Sequence, residues 1–280
     1  MLLVAAAGLG FSSMHAVIRF LSSDLHPFQI AFFRNLFGLI ALSPVLTRRG
    51  LTPLKTDQIR LHFGRSCLQI VSMLSFFYAL TLTPLARVSA LSFTAPLFAT
   101  IGAVVFLREE IHARRVVALL VGFGGAMIVV RPSLEMEPGV MLVLGSSFGW
   151  SIALLAIKVL SRKDSSITLA MWMGIFMAPL SLIPALMVWR WPAPGDYFWL
   201  ALMGTVGMTG HLAMAQAFRE TDATVALPAD FTRLIWASLF GYFIFNETPG
   251  LATWVGGSII FASTTYIAIR EARAAQRKPR

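Results

Sequence analysis

Apolar stretches of about 20 residues alternate with short polar segments along the whole 280-residue chain. A hydrocarbon core about 30 Å thick takes about 20 helical residues to cross, so each stretch is long enough to span a membrane. Lipid offers no partners to backbone N–H and C=O groups, so these stretches must be helices, and the period-two alternation of transmembrane β-strands is missing. The pattern predicts an all-α integral membrane protein with ten transmembrane helices, at residues 2–21, 27–46, 61–80, 85–107, 113–130, 139–160, 166–189, 197–218, 223–245 and 251–269.

Lysines and arginines cluster in every second gap between the predicted spans. With the N-terminus in the cytoplasm, sixteen basic residues fall on the inner side and only Arg131 and Arg190 on the outer side. Cytoplasmic loops of membrane proteins carry this excess of positive charge, so we predict cytoplasmic N- and C-termini, with residues 271–280 as a basic cytoplasmic tail. Orientation in the lipid bilayer explains the net charge of +10, and no nucleic-acid partner is expected.

The two halves of the chain resemble each other. Residues 79–109 match residues 217–247 without gaps, and residues 10–22 match residues 149–161. Each half holds five predicted helices, an odd number, so the second repeat would be inverted in the membrane relative to the first. Inverted repeats with a binding site at their interface are a common plan of secondary transporters. We therefore predict two inverted five-helix repeats, at residues 1–131 and 139–270, and a transport function.

The motifs of other functional classes are missing from the sequence. Neither His-Glu-x-x-His nor Gly-x-Ser-x-Gly occurs, so an enzyme is not expected. Cys67 is the only cysteine, which excludes an intramolecular disulfide and a cysteine-rich metal site, and we expect no cofactor and no metal. A channel would need a repeated polar ring or a filter loop. A receptor or regulatory scaffold of the same fold stays open as an alternative.

Charged residues inside the predicted spans are candidates for the chemistry, because a charge in hydrocarbon is costly unless it is paired or hydrated. Arg34 lies in the second span, and Asp230 and Arg233 lie three residues apart in the ninth. Arg34 could bind a carboxylate, phosphate or polar ring of a substrate, or it could be a structural residue that hydrogen-bonds helix-end carbonyls or pairs with an acid. Asp230 and Arg233 could hold a zwitterion or exchange a proton at Asp230, or they could neutralise each other as a buried structural pair.

Histidines and aromatic residues complete the predicted substrate-binding set. His15 and His211 lie inside the first and eighth spans, where an imidazole could relay protons or hydrogen-bond between helices. Phe11 and Trp150 occupy the same place in the two repeats and could form apolar walls for a flat ligand, or they could be packing residues. The predicted site therefore combines cationic, titratable and aromatic side chains.

Two further features concern the architecture. Glu109 and Glu247 occupy matching positions after the fourth and ninth spans. We expect each glutamate to cap the next helix or to mark the repeat interface, with a gate as the alternative. The glycines of Gly122-x-Gly124-Gly125 and Gly256-Gly257 predict close contact between helices.

Short segments spread over both halves carry a family resemblance: Gly10–Ser13, His26–Asn35, Phe77–Leu80, Pro84–Ala86, Phe93–Phe98, Leu107–Glu110, Ala223–Ala226 and Phe243–Glu247. With them the whole chain resembles the EamA family of the drug/metabolite transporter superfamily. The resemblance implies a bacterial inner-membrane carrier that works by alternating access on a small-molecule substrate. A branch with S-adenosylmethionine and riboflavin uptake carriers looks most similar, which implies a small polar or heteroaromatic metabolite. Efflux of amino acids or drugs, proton coupling and a homodimer stay open.

Overall fold

All regular structure described for this protein is helical. The computed structural model describes residues 2–50, 52–107, 113–130, 137–160, 163–220 and 232–277, and contains no strand within these ranges. The all-α prediction is therefore confirmed for the described part of the chain. The α-helices are α1 (Leu2–Leu21), α2 (Pro27–Arg49), α3 (Ile59–Leu82), α4 (Leu85–Ser92), α5 (Ala95–Leu107), α6 (Ala113–Val130), α7 (Pro138–Leu160), α8 (Ser166–Met187), α9 (Asp196–Glu220), α10 (Thr232–Phe245) and α11 (Leu251–Arg277).

The predicted fourth span, residues 85–107, was wrong as a single helix. The structure has α4 and α5 there, separated by a turn at Phe93 and Thr94. Pro96 has no N–H to donate to the carbonyl of Ser92, so a continuous helix would lose a hydrogen bond and meet a steric clash. Bonds between residues three apart replace it, including the one from the Thr94 backbone N–H to the Leu91 carbonyl at 3.0 Å.

The last two predicted spans also have other boundaries in the described part of the chain. The last helix, α11, continues to Arg277, so most of the predicted tail of residues 271–280 is helical. The first part of the predicted ninth span, residues 223–231, lies outside the described residues, and α10 is described from Thr232 onward.

Length and composition identify membrane-spanning candidates in part of the fold. Within the described ranges, four segments are long and apolar enough to cross a membrane: Ile59–Leu82, Leu85–Gly102, Pro138–Ile157 and Ser166–Met187. Large apolar side chains are exposed around the bundle, among them Val71, Leu120, Ile183 and Phe243. Exposed apolar surface of this kind is typical of proteins that contact lipid. The prediction of ten spans goes beyond these four and stays a prediction.

Helix packing brings the two halves of the chain together. The helix α3 packs on α7, α1 packs on α9, α2 packs on α8 and α9, and α6 packs on α11. The predicted glycine contact is confirmed for Gly125 and Gly256: a Cβ added to Gly125 would meet the Gly256 carbonyl oxygen at 2.9 Å. In lipid, where apolar burial does not drive association, small residues allow the backbone approach from which van der Waals contact arises.

His26, just before the predicted second span, caps the first turn of α2. Its backbone is extended (φ −66°, ψ 139°), and its Nδ1 accepts a hydrogen bond from the Phe28 backbone N–H at 3.3 Å. Partial burial lowers the pKa of His26 below its ordinary value of 6.5. The cap requires an unprotonated Nδ1. Its contribution to stability is therefore present above pH 6.5 and is lost as the pH falls through the lowered pKa.

The substitution His26→Asn should remove this acid sensitivity, because an asparagine caps the helix without titrating near neutrality. Between pH 7.5 and pH 5 we expect the wild type to lose up to about 1 kcal/mol that His26→Asn retains. His26→Ala should lack the cap at both pH values. Thermal unfolding of the detergent-purified proteins measures the difference. Equal acid sensitivity of all three proteins would contradict a contribution from the cap.

Candidate functional site

Arg34 lies in the interior of the helix bundle, on α2. Its side chain is buried, and its Nη1 donates to the Asn35 Oδ1 at 2.9 Å and approaches the Met73 Sδ of α3 at 3.9 Å. The Asn35 Nδ2 in turn donates to the Ser181 Oγ of α8 at 3.1 Å. Neighbouring side chains on α3 and α8 thus hold the guanidinium in place.

The charge of Arg34 lacks a carboxylate partner in the described part of the chain. The ion pairs described there join Arg19 to Glu247 and Arg87 to Glu137, and Asp164 contacts His62. Burying a cation costs several kcal/mol, which a neutral amide and a thioether sulfur recover only in part. An incoming carboxylate, phosphate or carbonyl oxygen could accept the hydrogen bonds that remain available on this guanidinium.

Aromatic and imidazole rings from different helices meet beside Arg34. The rings of Phe11 and His211 are edge-to-face with centroids 4.9 Å apart, and the Trp150 centroid lies 6.4 Å from that of His211. His15 lies on the same helix as Phe11, and its ring centroid is 5.0 Å from that of Phe76. These contacts place rings of α1, α3, α7 and α9 around one region of the interior.

Arg233, on α10, contacts the same ring cluster. Its guanidinium carbon lies 5.4 Å from the Phe11 centroid and 5.8 Å from the Phe93 centroid, within cation–π range. Its backbone carbonyl accepts a hydrogen bond from the Ser12 Oγ at 3.0 Å. Asp230, the predicted partner of Arg233, lies outside the described residues, so their pairing stays a prediction.

The structure brings six of the seven predicted site residues together. Arg34 and Arg233 both act electrostatically on His15 and on His211, so these four groups are near neighbours. The ring contacts add Phe11 and Trp150. The central site is defined as these six described residues: Phe11, His15, Arg34, Trp150, His211 and Arg233.

An ion pair joins distant segments at the end of the bundle where α1 terminates, here called the Arg19 end. Arg19 pairs with Glu247, and its Nη1 donates to the Thr83 carbonyl at 2.8 Å. The Glu247 Oε2 accepts a hydrogen bond from the Leu85 backbone N–H at 2.9 Å. Glu247 therefore caps α4 and not the next helix in sequence, α11. Its contacts join the two halves of the chain, as the other expectation for this residue, a place at the repeat interface, requires. Glu109 lies outside the described residues.

A second polar cluster lies at the opposite end of the bundle, where α3 begins, here called the His62 end. The Asp164 Oδ2 is 2.8 Å from the His62 Nε2 and accepts a hydrogen bond from the Thr56 Oγ1 at 2.8 Å. Arg65, also on α3, donates from Nη2 to the Leu169 carbonyl at 3.2 Å. These residues were not predicted from the sequence. For His62 and Arg65 the available signal was the spacing of polar positions in α3, which fall on one helical face.

Comparisons with known proteins agree with the architecture. The model of the EamA-like transporter family matches residues 1–131 and 137–269. The chain is 33% identical over 271 residues to the S-adenosylmethionine uptake transporter of Rickettsia conorii, covering 95% of this chain and 91% of the relative. It is 32% identical over 279 residues to the riboflavin transporter of Vibrio cholerae, covering 97% and 93%. It is also 25% identical over 265 residues to the pseudopaline exporter CntI of Pseudomonas aeruginosa, covering 92% of each chain.

Proposed function

Because this chain belongs to the EamA-like transporter family, we propose that it carries a small polar or heteroaromatic metabolite across the bacterial inner membrane. The observation that carries this proposal is the buried guanidinium of Arg34, which lacks a carboxylate partner among the described residues and lies beside the rings of Phe11, His211 and Trp150. Such a site suits a ligand that combines a flat ring with an oxygen acceptor.

The chemistry of the relatives' substrates fits these groups. S-adenosylmethionine carries a carboxylate and an adenine ring, and riboflavin carries a flat ring system with carbonyl oxygens. In either compound an oxygen would accept hydrogen bonds from Arg34, while the ring would lie against Phe11 and Trp150. The 33% and 32% identities to the two relatives, the S-adenosylmethionine uptake transporter and the riboflavin transporter, favour uptake of a substrate of this class.

Alternating access between two inverted repeats is the proposed mechanism. The pattern of helix contacts supports it, because exchanging each helix for its counterpart in the other repeat turns the α1–α9 contact into the α7–α3 contact. The contacts between α2 and α8 and between α6 and α11 are each unchanged by the exchange. Rocking of one repeat against the other would then expose the central site to each side in turn.

The proposed orientation follows from the loop charges. With both termini in the cytoplasm, the Arg19 end faces outward and the His62 end faces inward. Substrate taken up would enter past Arg19 and Glu247 and would leave past His62 and Asp164.

Efflux is the second candidate function, and the similarity to the pseudopaline exporter supports it. That identity is 25%, compared with 33% and 32% for the two uptake relatives, so uptake is proposed first. The inverted repeats themselves do not impose a direction, because the free-energy gradients of substrate and coupled ions determine the net flux.

Uptake by proteoliposomes that contain the purified protein tests the function. We expect saturable uptake of labelled riboflavin or of labelled S-adenosylmethionine, with protein-free liposomes as the control. An imposed pH gradient that changes the initial rate would establish proton coupling. Folded protein that takes up neither compound would overturn the uptake proposal. Release of pseudopaline from loaded proteoliposomes would then support efflux.

A further inference from the structure

Five polar residues form a buried stripe along one face of α3. They are spaced three or four residues apart, or adjacent, which aligns them on one side of a helix. At 1.5 Å per residue the stripe is about 15 Å long, half the thickness of the hydrocarbon core. It runs from the His62 end toward the centre of the bundle, and its members are His62, Arg65, Ser66, Gln69 and Ser72.

The hydrogen bonding of this stripe is incomplete. Eight buried side-chain atoms in the described part of the chain lack a hydrogen-bond partner, and four of them belong to the stripe. They are the His62 Nδ1, the Arg65 Nε, the Ser66 Oγ and the Gln69 Oε1. A fifth, the Nε1 of Trp172, lies on α8. Each such atom costs about 1–3 kcal/mol when it stays unpaired, so their concentration in one place favours binding of a polar group that could pair with them.

His62, Arg65 and Gln69 of the stripe face α8, and the two helices form a seam there, whereas Ser72 lies against Gly149 of α7. Arg65 donates to the Leu169 carbonyl at 3.2 Å, and the Gln69 Nε2 lies 3.2 Å from the Met173 Sδ. The Trp172 ring lies between these positions on α8, with its centroid 6.4 Å from that of His62. The seam thus combines a cation, neutral hydrogen-bonding groups and an indole ring, the same chemistry as the central site.

The inner end of the seam lies next to the central site. Met73 is one helical turn beyond Gln69 on α3, and its sulfur is approached by the Nη1 of Arg34. The charge of Arg65 also acts on His211 of the central site. At the other end, the contact between His62 and Asp164 forms the last part of the seam, at the His62 end of the bundle. No described carboxylate forms an ion pair with Arg65.

We propose that this seam is a second binding station for the transported metabolite, between the central site and the cytoplasm. The station takes a carboxylate, phosphate or carbonyl oxygen of the substrate on Arg65, Ser66 and Gln69, and the substrate ring stacks on Trp172. The pair of His62 and Asp164 closes it toward the cytoplasm. This inference rests on the proposed function for its substrate and its orientation, but its main test needs neither substrate.

Thiol chemistry tests whether the seam admits an anion from the cytoplasmic side. The variant Cys67→Ser/Ser66→Cys carries a single cysteine on the stripe, and inside-out vesicles expose the His62 end to added reagents. With each rate divided by that of the same reagent with a free thiol in solution, we expect an anionic methanethiosulfonate to react about tenfold faster than a cationic one, because a cleft lined by one sign of charge concentrates the opposite ion. Adding Arg65→Met should abolish that preference.

The matched control is the same labelling experiment on the native Cys67, in a chain that keeps Ser66. Cys67 is the neighbouring residue and points about 100° away from the stripe, so Arg65→Met should not change the relative rates of the two reagents at Cys67. A Ser66→Cys thiol that reacts only after denaturation would overturn the proposal. A charge preference that survives Arg65→Met would overturn it as well.

Transport kinetics separate the two stations. Arg65→Met should lower the maximal uptake rate at least about tenfold while substrate affinity from the outer side changes less than about twofold, since that affinity belongs to the central site. Arg60→Met, the same substitution at an exposed position of α3, should leave both unchanged. Wild-type uptake in Arg65→Met would contradict the second station. If neither compound is transported by the wild type, the proposed substrates fail, whereas a positive thiol result still supports an anion station.

Discussion

Substitution of Arg34 by alanine is expected to lower substrate affinity by about 10- to 100-fold and to abolish uptake at micromolar substrate. The reason is the loss of a charge-assisted hydrogen bond in the interior, worth about 1.5–3 kcal/mol. Equilibrium binding of the compound found in the uptake assay measures the affinity directly. Unchanged affinity in Arg34→Ala would remove this residue from the substrate site.

The fold should tolerate this substitution, which makes the result interpretable. Among the described residues the Arg34 charge has a neutral amide and a thioether as its neighbours, so removing it also removes the cost of burying a cation. We expect an unfolding temperature equal to or above that of the wild type. Arg34→Lys should bind with intermediate affinity, because an ammonium group keeps the charge but loses the planar fork of donors. Arg190→Ala, at an exposed loop position, is the control and should bind normally.

Glu247→Gln is expected to open the Arg19 end of the transporter. The pair of Arg19 and Glu247 is only 20% and 16% exposed, and the glutamate also caps α4 through the Leu85 N–H. Breaking it should cost about 2 kcal/mol, below the range for fully buried pairs, and this shifts a conformational equilibrium about 30-fold. A cysteine at Ser12, introduced together with Cys67→Ser, should then react up to about 30-fold faster with a membrane-impermeant thiol reagent added outside.

A second glutamate provides the matched control for this measurement. Glu137 accepts a hydrogen bond from the Arg87 Nη1 at 2.7 Å, but its side chain is 54% exposed. Exposed pairs contribute about 0–1 kcal/mol, so Glu137→Gln should raise the reaction rate less than about fivefold. Equal rates in both variants and the wild type would mean that the Arg19–Glu247 pair fixes helix positions without controlling access.

Most helix positions could be predicted because the membrane makes secondary structure a local problem. Each segment must satisfy its own backbone hydrogen bonds in lipid, so the apolar runs located α6, α7 and α9 to within two residues at each end. The break between α4 and α5 was missed although its cause is local. Pro96 lies inside an apolar run, and its missing N–H outweighed the continuous hydropathy.

The residues of the central site could be predicted from the sequence because charged and titratable side chains are rare within apolar spans. Arg34, Arg233, His15 and His211 stand out because polar groups are costly within apolar spans, and the structure brings all four together. The stripe on α3 was not predicted, because the spacing of its residues does not show whether that face of the helix points to lipid, to water or to another helix. Packing of α3 against α8 decides this, and it turns a run of ordinary polar residues into a buried seam.

The sequence by itself determined the helical architecture, the internal similarity of the halves and the identity of the interior charges. Tertiary structure alone decided which partners these groups have: Met73 and Asn35 beside Arg34, Asp164 beside His62, and Glu247 on the backbone of a residue 162 positions away. The physical reason is that hydropathy and backbone hydrogen bonding act along one segment. Ion pairs and side-chain contacts depend instead on which faces of distant helices meet when the bundle packs.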